Sequence, residues 1–348
     1  MKICMVVNNI LTEREPYTTT VLAHKMHNRK KEVFYMGIED LSYYPEGFAG
    51  GRAVRAEDKK FRTRASYLDN IKSNVANKER IYFKDIDIVM LRNDPAEEDK
   101  TRAWARVAGI SFGQMAIEEG VIVLNDAHGL SLALNKIYFQ QFPKEVRPET
   151  VISRNYKEIN EFFLASDKNI IVKPLFGSGG RSVFQVNEDN IKNLKQMIEA
   201  IGQEGYVVAQ EYIPESVEGD TRVFLLNGQI LKHKGKYAAV KRTTASDDIR
   251  SNLHAGGEAK PAVITEDILR IAEAVRPNLI RDGMFFVGLD IIGSKLIEIN
   301  VFSPGGLLSA TKFADVDFPE YIIESLEHKI YLKNLYHGNI INRRLATL

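Results

Sequence analysis

Three oxygen-bearing side chains, Asp290, Glu298 and Asn300, interrupt two otherwise apolar runs between residues 285 and 308. The runs flank Gly293-Ser294 and read as a β-hairpin, in which Glu298 and Asn300, two apart, share a face. A three-residue loop over 293–295 pairs Ile292 with Leu296 and sets Asp290 opposite Glu298. A two-residue loop sends Asp290 to the other face, because one register step flips every side chain. Facing carboxylates repel and need a counter-charge. Hard oxygen ligands with no Cys or His beside them suit Mg2+, which binds through one or two carboxylates plus the phosphates of a substrate. A hairpin with a solvated polar face is the other reading of the same residues.

Groups able to hold phosphate occur upstream. Lys173 lies in the apolar run 169–174, which leads into Gly177-Ser178-Gly179-Gly180. That turn joins strand to strand, whereas Rossmann and Walker loops lead from strand into helix. Its glycines let successive backbone N–H groups converge on an anion, or else form a tight hairpin turn. Lys136 falls on a predicted helix, 129–141. A basic stretch carries Lys232, Lys234, Lys236, Lys241, Arg242 and Arg250, with Asn252 close behind. Arg92-Asn93-Asp94-Pro95 ends a predicted strand, 86–91, and ligands collect at the carboxyl ends of strands in open α/β sheets. No Ser-His-Asp or Cys-His set is evident.

The elements that must position these groups fall into successive units. Strand, helix and strand over 2–7, 18–28 and 32–36 give a βαβ start and an α/β first domain. Between 43 and 80 the pattern weakens into many Lys, Arg and Gly, which reads as a solvated surface or mobile loop. A helix over 102–119 and a strand over 121–124 close this unit near Asp126. A second unit opens at Thr150, with strands at 169–174, 182–186 and 206–210 around a helix at 191–201. The third opens with a hairpin at Asn227-Gly228, the plainest turn signal in the chain. A helix over 264–280 then feeds the Asp290 hairpin, and 318–348 holds a helix at 319–328. At 348 residues two or three domains are expected, and 44% hydrophobic with 27% charged residues is ordinary for a globular chain. A net charge of +1 gives no support to a nucleic-acid or membrane surface. Cys4, the only cysteine, excludes a disulfide framework. No signal peptide or membrane span is visible, so a cytoplasmic protein is expected.

In this order the signals resemble the ATP-grasp superfamily, and more closely the bacterial glutathione synthetases within it. Four blocks carry the resemblance: Leu91-Arg92-x-Asp94-Pro95, Val172-Lys173-Pro174-Leu175-x-Gly177-x-Gly179-Gly180, Gly219-Asp220-x-Arg222-Val223, and Phe286-Val287-Gly288-Leu289-Asp290 through Glu298-Ile299-Asn300-Val301-x-Ser303-Pro304. The resemblance implies an α/β (α+β ATP-grasp) architecture, an N-terminal open parallel α/β domain followed by two α+β subdomains clamping ATP. Its divisions are 1–126, a connecting helix and linker over 127–149, a central lid subdomain over 150–213, a catalytic subdomain over 214–330, and a tail over 331–348. It further implies that Lys136, Lys173 and the turn Gly177, Ser178, Gly179 and Gly180 hold the nucleotide phosphates. Gln210, Glu211, Tyr212 and Ile213 would read adenine, with Asp220 near the ribose. Asp290, Glu298 and Asn300 would bind magnesium, two Mg2+ ions with Mn2+ as a substitute. Arg222, Arg242 and Arg250 would surround the reacting carboxylate and transferred phosphate, and Arg92, Asp94, Asn252, Ser303, Pro304, Gly305 and Gly306 would meet substrate.

The implied reaction is ATP-dependent carboxylate–amine ligation through an acyl phosphate, γ-glutamylcysteine plus glycine giving glutathione. Phosphoryl transfer asks mainly for positioning and charge neutralisation, and a readily hydrolysed acyl phosphate asks for lids, for which 234–248 and 177–180 are candidates. The expected partners are a small-molecule acid and amine, with no nucleic acid and no membrane, in a homodimer or homotetramer. The sequence departs from the pattern at Gly305-Gly306, in a long 228–242 segment, and over Asn8 to Thr20. A ligase of the same mechanism with another acid and amine is therefore the near alternative. A non-catalytic ATP-binding regulatory protein, as in synapsins, is the alternative from another class.

Overall fold

The computed structural model describes residues 1–98, 100–177, 182–203, 205–243 and 258–348. Short Val- and Ile-rich runs form the parallel heart of the first sheet, in the spatial order Glu32–Gly37, Lys2–Val7, Ile88–Leu91, Ile122–Leu124. Ile3, Met5 and Val7 bury on one face and Cys4 and Val6 on the other, as a parallel sheet covered on both sides requires. Leu22 and Met26 of the helix Thr18–Asn28 cover the first face, and Ile110 and Ala116 of the helix Ala105–Glu118 the second. The stretch 43–80 is built into this unit rather than being a loop. It forms the strands Ala49–Arg55 and Glu79–Tyr82 and the helix Arg64–Ser73, which buries Tyr67 completely. Gly50 is what lets the two strands close, since a Cβ there would lie 2.1 Å from the Ile81 carbonyl oxygen.

The second unit is a four-stranded antiparallel sheet in the order Phe184–Val186, Ile170–Pro174, Val207–Glu211, Thr150–Ser153. The helices Tyr156–Ala165 and Leu194–Gly202 cover it, and its core of Ile159, Phe163, Val172, Leu194 and Ile198 is its own. The third unit is antiparallel, in the order Glu258–Pro261, Ala239–Thr243, Asp220–Leu226, Phe286–Ile292, Lys295–Asn300. Val223 and Ile271 join the apolar cluster around Cys4, and Phe224, Phe286 and Phe318 join that around Ile3. The first and third units therefore share cores, while the second stands apart.

Two helices differ from their sequence reading. The segment 129–141 is not one helix: a helix Ala127–Leu132, capped by Asp126, ends before Lys136, and a 3-10 turn follows at Tyr138–Gln141. The Lys136 amide donates to the Leu175 carbonyl instead, so a contact with the second unit replaces the local ladder. The helix expected at 319–328 extends over Phe318–Leu335. No helix among the described residues is long and apolar enough to cross a membrane.

The chain beyond that helix has a packing role. Ile122–Leu124 is the outer strand of its sheet, and the Asn342 amide group completes it, its oxygen accepting from the Val123 N–H and its nitrogen donating to the Val123 carbonyl, both at 2.9 Å. The same nitrogen donates to Asp126 at 2.8 Å. Unpaired strand-edge groups buried away from water are costly. Asn342→Ala is expected to lower the free energy of unfolding by about 1–3 kcal/mol in urea titration. A loss below about 0.5 kcal/mol would show that water replaces the amide there.

Candidate active site

One face of the third sheet collects six of the residues named from the sequence. Asp220 lies opposite Arg242, Arg222 opposite Asp290, and Asp290 opposite Glu298 across three successive strand pairs. Asp220 and Arg222 are two apart, as are Glu298 and Asn300, so all six share that face. The facing of Asp290 and Glu298 arises from neither loop length alone. The loop is Gly293-Ser294, with Ile292 paired to Lys295 and Ile291 to Leu296. A bulge then skips Ile297 and restores the carboxylates to one face.

Asp290 supplies both the repulsion and its remedy. Its carboxylate accepts two bonds from Arg222, Nε to Oδ1 at 2.7 Å and a terminal amine to Oδ2 at 2.6 Å. Arg242 adds a terminal amine 2.8 Å from Oδ2, and Asn300 donates there at 3.2 Å. Burial alone would raise the Asp290 pKa, but the two guanidinium groups outweigh it and hold the carboxyl at about 2. Arg242 also donates Nε to Asp220 at 2.7 Å. Burial disfavours its charge, yet Asp290 and Asp220 hold it charged well above the usual range. Among the described residues Asp220 is thus buried against Arg242 rather than lining the cleft.

The cleft lies between this face and the second unit. Lys136, Lys173, Gly177, Gln210, Asp94, Glu298, Asn300 and Ser303 line it. Lys173 sits opposite Val208, two residues from Gln210, and donates to the Gln210 side-chain oxygen at 3.0 Å. Lys136 donates to the Gly177 carbonyl at 2.7 Å. Among the described residues neither ammonium is ion-paired within 4.0 Å. Burial lowers both pKa values, and Lys136 pushes Lys173 down further, to about 8, against the pull of Glu298. Two half-buried cations that repel each other over a shared space are a receptor for a multivalent anion. Asp94 is raised to about 6, mainly by burial, although its Oδ1 accepts the Ala96 amide at 2.8 Å.

The remaining expected residues are placed variously. Of 210–213 only Gln210 lines the cleft, while Glu211, Tyr212 and Ile213 are half-buried beyond it. Arg92 is 5% exposed and points at protein groups, and Pro304 is buried. Arg222 donates to the Gly305 carbonyl at 3.3 Å, and Gly306 has φ +99° at the start of the helix Leu307–Ala314. Ser178, Gly179, Gly180, Arg250 and Asn252 lie outside the described residues, as do parts of both candidate lids. The sequence reading missed the apolar wall of Leu134, Tyr138, Phe139, Leu175 and Val208. Its helix over 129–141 hid the first three, and alternation along Val207–Glu211 was the signal for the last.

The donor set is suited to a hard divalent ion. Glu298 and Asn300 line the cleft, and Asp290 lies buried behind them with its Oδ1 accepting one of the hydrogen bonds above. No cluster of three His, Cys, Asp or Glu side chains occurs among the described residues, and a Mg2+ ion held by one or two carboxylates takes its other oxygens from phosphates and water.

Comparison with known proteins agrees with this geometry. The prokaryotic glutathione synthetase N-terminal domain matches residues 1–130 and the ATP-grasp domain of the same family residues 135–315. The glutathione synthetase of Shewanella oneidensis is 33% identical over 250 residues, 71% of this chain and 75% of that protein. That of Photorhabdus laumondii is 29% identical over 319 residues, 90% of this chain and 93% of that one. The crystal structure of a D-cycloserine synthetase shares the fold, with a TM-score of 0.63 over 94% of this chain and 99% of that one at 13% identity.

The lysine pair gives a pH test. An anion binds the ammonium form, which is complete below the Lys173 pKa of about 8 and lost as pH rises through it. ADP affinity is therefore expected to fall about fivefold or more between pH 7.5 and 9.5 by calorimetry. Lys173→Met should weaken binding at pH 7.5 and flatten that profile. An unchanged affinity and slope in the variant would place Lys173 outside the anion site.

Proposed function

The chain belongs to the prokaryotic glutathione synthetase family, and from that premise we propose that it joins γ-glutamylcysteine to glycine with cleavage of ATP to ADP and phosphate. It is an ATP-dependent ligase that forms an amide bond. In the proposed sequence a carboxylate oxygen of the acid attacks the γ-phosphorus and ADP leaves. The amine nitrogen then attacks the acyl carbon, losing a proton, and phosphate departs with the oxygen it took from the acid. No side chain is needed as a nucleophile in either step.

The observation that carries this reading is the double guanidinium clamp on Asp290 beside two lysines that have no ion-pair partner among the described residues. Lys136 and Lys173 would draw in the polyphosphate, and its transfer needs charge neutralisation more than covalent help. Arg222 and Arg242, fixed by Asp290, present the rest of their donors without reorganisation during the reaction. Arg250 would complete the set. Glu298, Asn300 and Asp290 would hold magnesium. When bound there the ion neutralises phosphate charge and orients the γ-phosphoryl group. We assign ATP as co-substrate with two Mg2+ ions, replaceable by Mn2+, and take Gln210 as the nucleotide-side residue, backed by 211–213 and Asp220 from outside the cleft. The working division remains 1–126, 127–149, 150–213, 214–330 and 331–348, in a cytoplasmic homodimer or homotetramer.

One observation favours a second reading. A Cβ on Gly305 would meet nothing within 4 Å, so there is open space beside the carbonyl that Arg222 holds. That room would accept an acid or amine bulkier than the expected pair.

ADP release measured with γ-glutamylcysteine and glycine is expected to depend on both. Release with another acid and amine but not with these would select the second reading, and none with any pair would favour a non-catalytic nucleotide binder. Glu298→Gln should fold with an unfolding midpoint close to that of the parent and lose turnover by a factor of about 100 or more. Full activity in that variant would remove the metal assignment.

A further inference from the structure

Two buried side chains of the first unit reach across to the hairpin that carries Glu298 and Asn300. Asn125 is 5% exposed, and its amide nitrogen donates to the Phe286 carbonyl at 3.1 Å and also to the Val301 carbonyl. Its oxygen accepts from the Phe286 N–H at 2.8 Å. Phe286 opens the strand bearing Asp290, and Val301 directly follows the strand bearing Glu298 and Asn300. Asn125 therefore ties both legs of the hairpin at its open end, opposite the Gly293-Ser294 turn.

Arg92 holds the next stretch. It donates Nε to the Thr19 hydroxyl at 3.2 Å and its two terminal amines to the carbonyls of Phe302 and Pro304 at 3.4 and 3.5 Å. Among the described residues it has no carboxylate within ion-pairing distance, although burial works against its charge and lowers its pKa to about 10. A charged group buried on carbonyls is held for direction rather than for neutralisation. Both residues follow parallel neighbouring strands, Ile88–Leu91 and Ile122–Leu124, so they stand together at the carboxyl edge of the first sheet.

The apolar cores shared by the first and third units are non-directional. The other directional bonds between them, the ion pairs of Lys25 and Arg29 with Asp317, Glu320 and Glu327 and the Asp126 amide on the Gly283 carbonyl, fix no angle at the hairpin because they are made outside it. Five hydrogen bonds to backbone at 286 and 301–304 do fix one. We propose that Asn125 and Arg92 are positioning residues. They set the hairpin's open end, and through it Glu298 and Asn300, against the carboxyl edge of the first sheet, whose Asp94 lines the same cleft, and so would fix the distance from the carboxylate of an acid seated at that edge to the γ-phosphate. The proposal rests on the ligase reading above.

The test compares Asn125→Ala and Arg92→Lys with the parent protein in ADP affinity, KM for the acid, and amide formed per ADP released. Displacement of the acid by a fraction of an ångström should raise its KM about tenfold and leave acyl phosphate to hydrolyse, so that amide per ADP falls below one. ADP affinity should stay within about twofold, since neither residue touches the cleft lysines. A merely structural role would lower thermal stability and the active fraction while leaving KM and stoichiometry unchanged, and that result overturns the proposal. Arg92→Lys keeps the charge and carries the same test where Asn125→Ala does not fold. Should no acid support turnover in the parent, the ligase reading fails separately. Amide exchange then decides: faster exchange in the variants over 286–300 than over 222–226 supports the struts, and uniform exchange contradicts them.

Discussion

A single carboxylate gripped by two guanidinium groups sets the terms for the site. Asp290 stands opposite Glu298 in a sheet of Val, Ile and Leu, where two facing negative charges would repel. Arg222 and Arg242 remove that difficulty and are themselves immobilised by doing so. Removing one partner from such a buried set leaves a naked charge, which typically costs about 3–5 kcal/mol. The clamp is therefore less a source of stability than a device that keeps cationic donors still. Asp220 extends it by one member, holding Arg242 from the far side. Nothing in the arrangement must reorganise when charge moves from nucleotide to acid, and preorganisation of that kind is the largest contribution an enzyme commonly makes.

The division of the cores explains how a fixed clamp coexists with a cleft that must admit and enclose substrates. The first and third units pack through common apolar clusters and through directional bonds from Asn125 and Arg92. The second unit has a core of its own and brings Lys173 and Gln210 to the cleft from outside. Lys136 sits on the connection between them, its amide and its ammonium both bonded to the second unit. The two lysines are thus tied to the separate unit while the clamp and Glu298 belong to the joined pair. A polyphosphate that engages all of them draws the two bodies together.

Much of this was legible in the sequence, though not always for the right reason. The shared face of Glu298 and Asn300 was read from their two-residue spacing, whereas its continuation through Asp220, Arg222 and Arg242 across four strands was not. The facing of Asp290 and Glu298 was one of two registers left open, the one tied to a three-residue loop, and is produced by a two-residue loop plus the Ile297 bulge. Period counting cannot see a bulge, because no residue type marks it. Lys136 was placed on a helix by local pattern, and a bond from its amide to Leu175, 39 positions later in the chain, overrode that pattern. The region 43–80 read as loop because its glycines and charges hide two buried tyrosines, Tyr44 and Tyr67, and a close strand approach. Asn125 and Asn342 were invisible, since their partners lie 161 to 219 residues away and an asparagine carries no sign that it completes a distant strand.

The central claim is that the acid's own carboxylate takes the γ-phosphoryl group before the amine arrives. Transfer of 18O from a carboxylate-labelled acid into released phosphate tests it most directly, by mass spectrometry of the phosphate after one turnover with ATP and amine. The account predicts one labelled oxygen in each phosphate. Unlabelled phosphate, with amide formed at the normal rate, would contradict it.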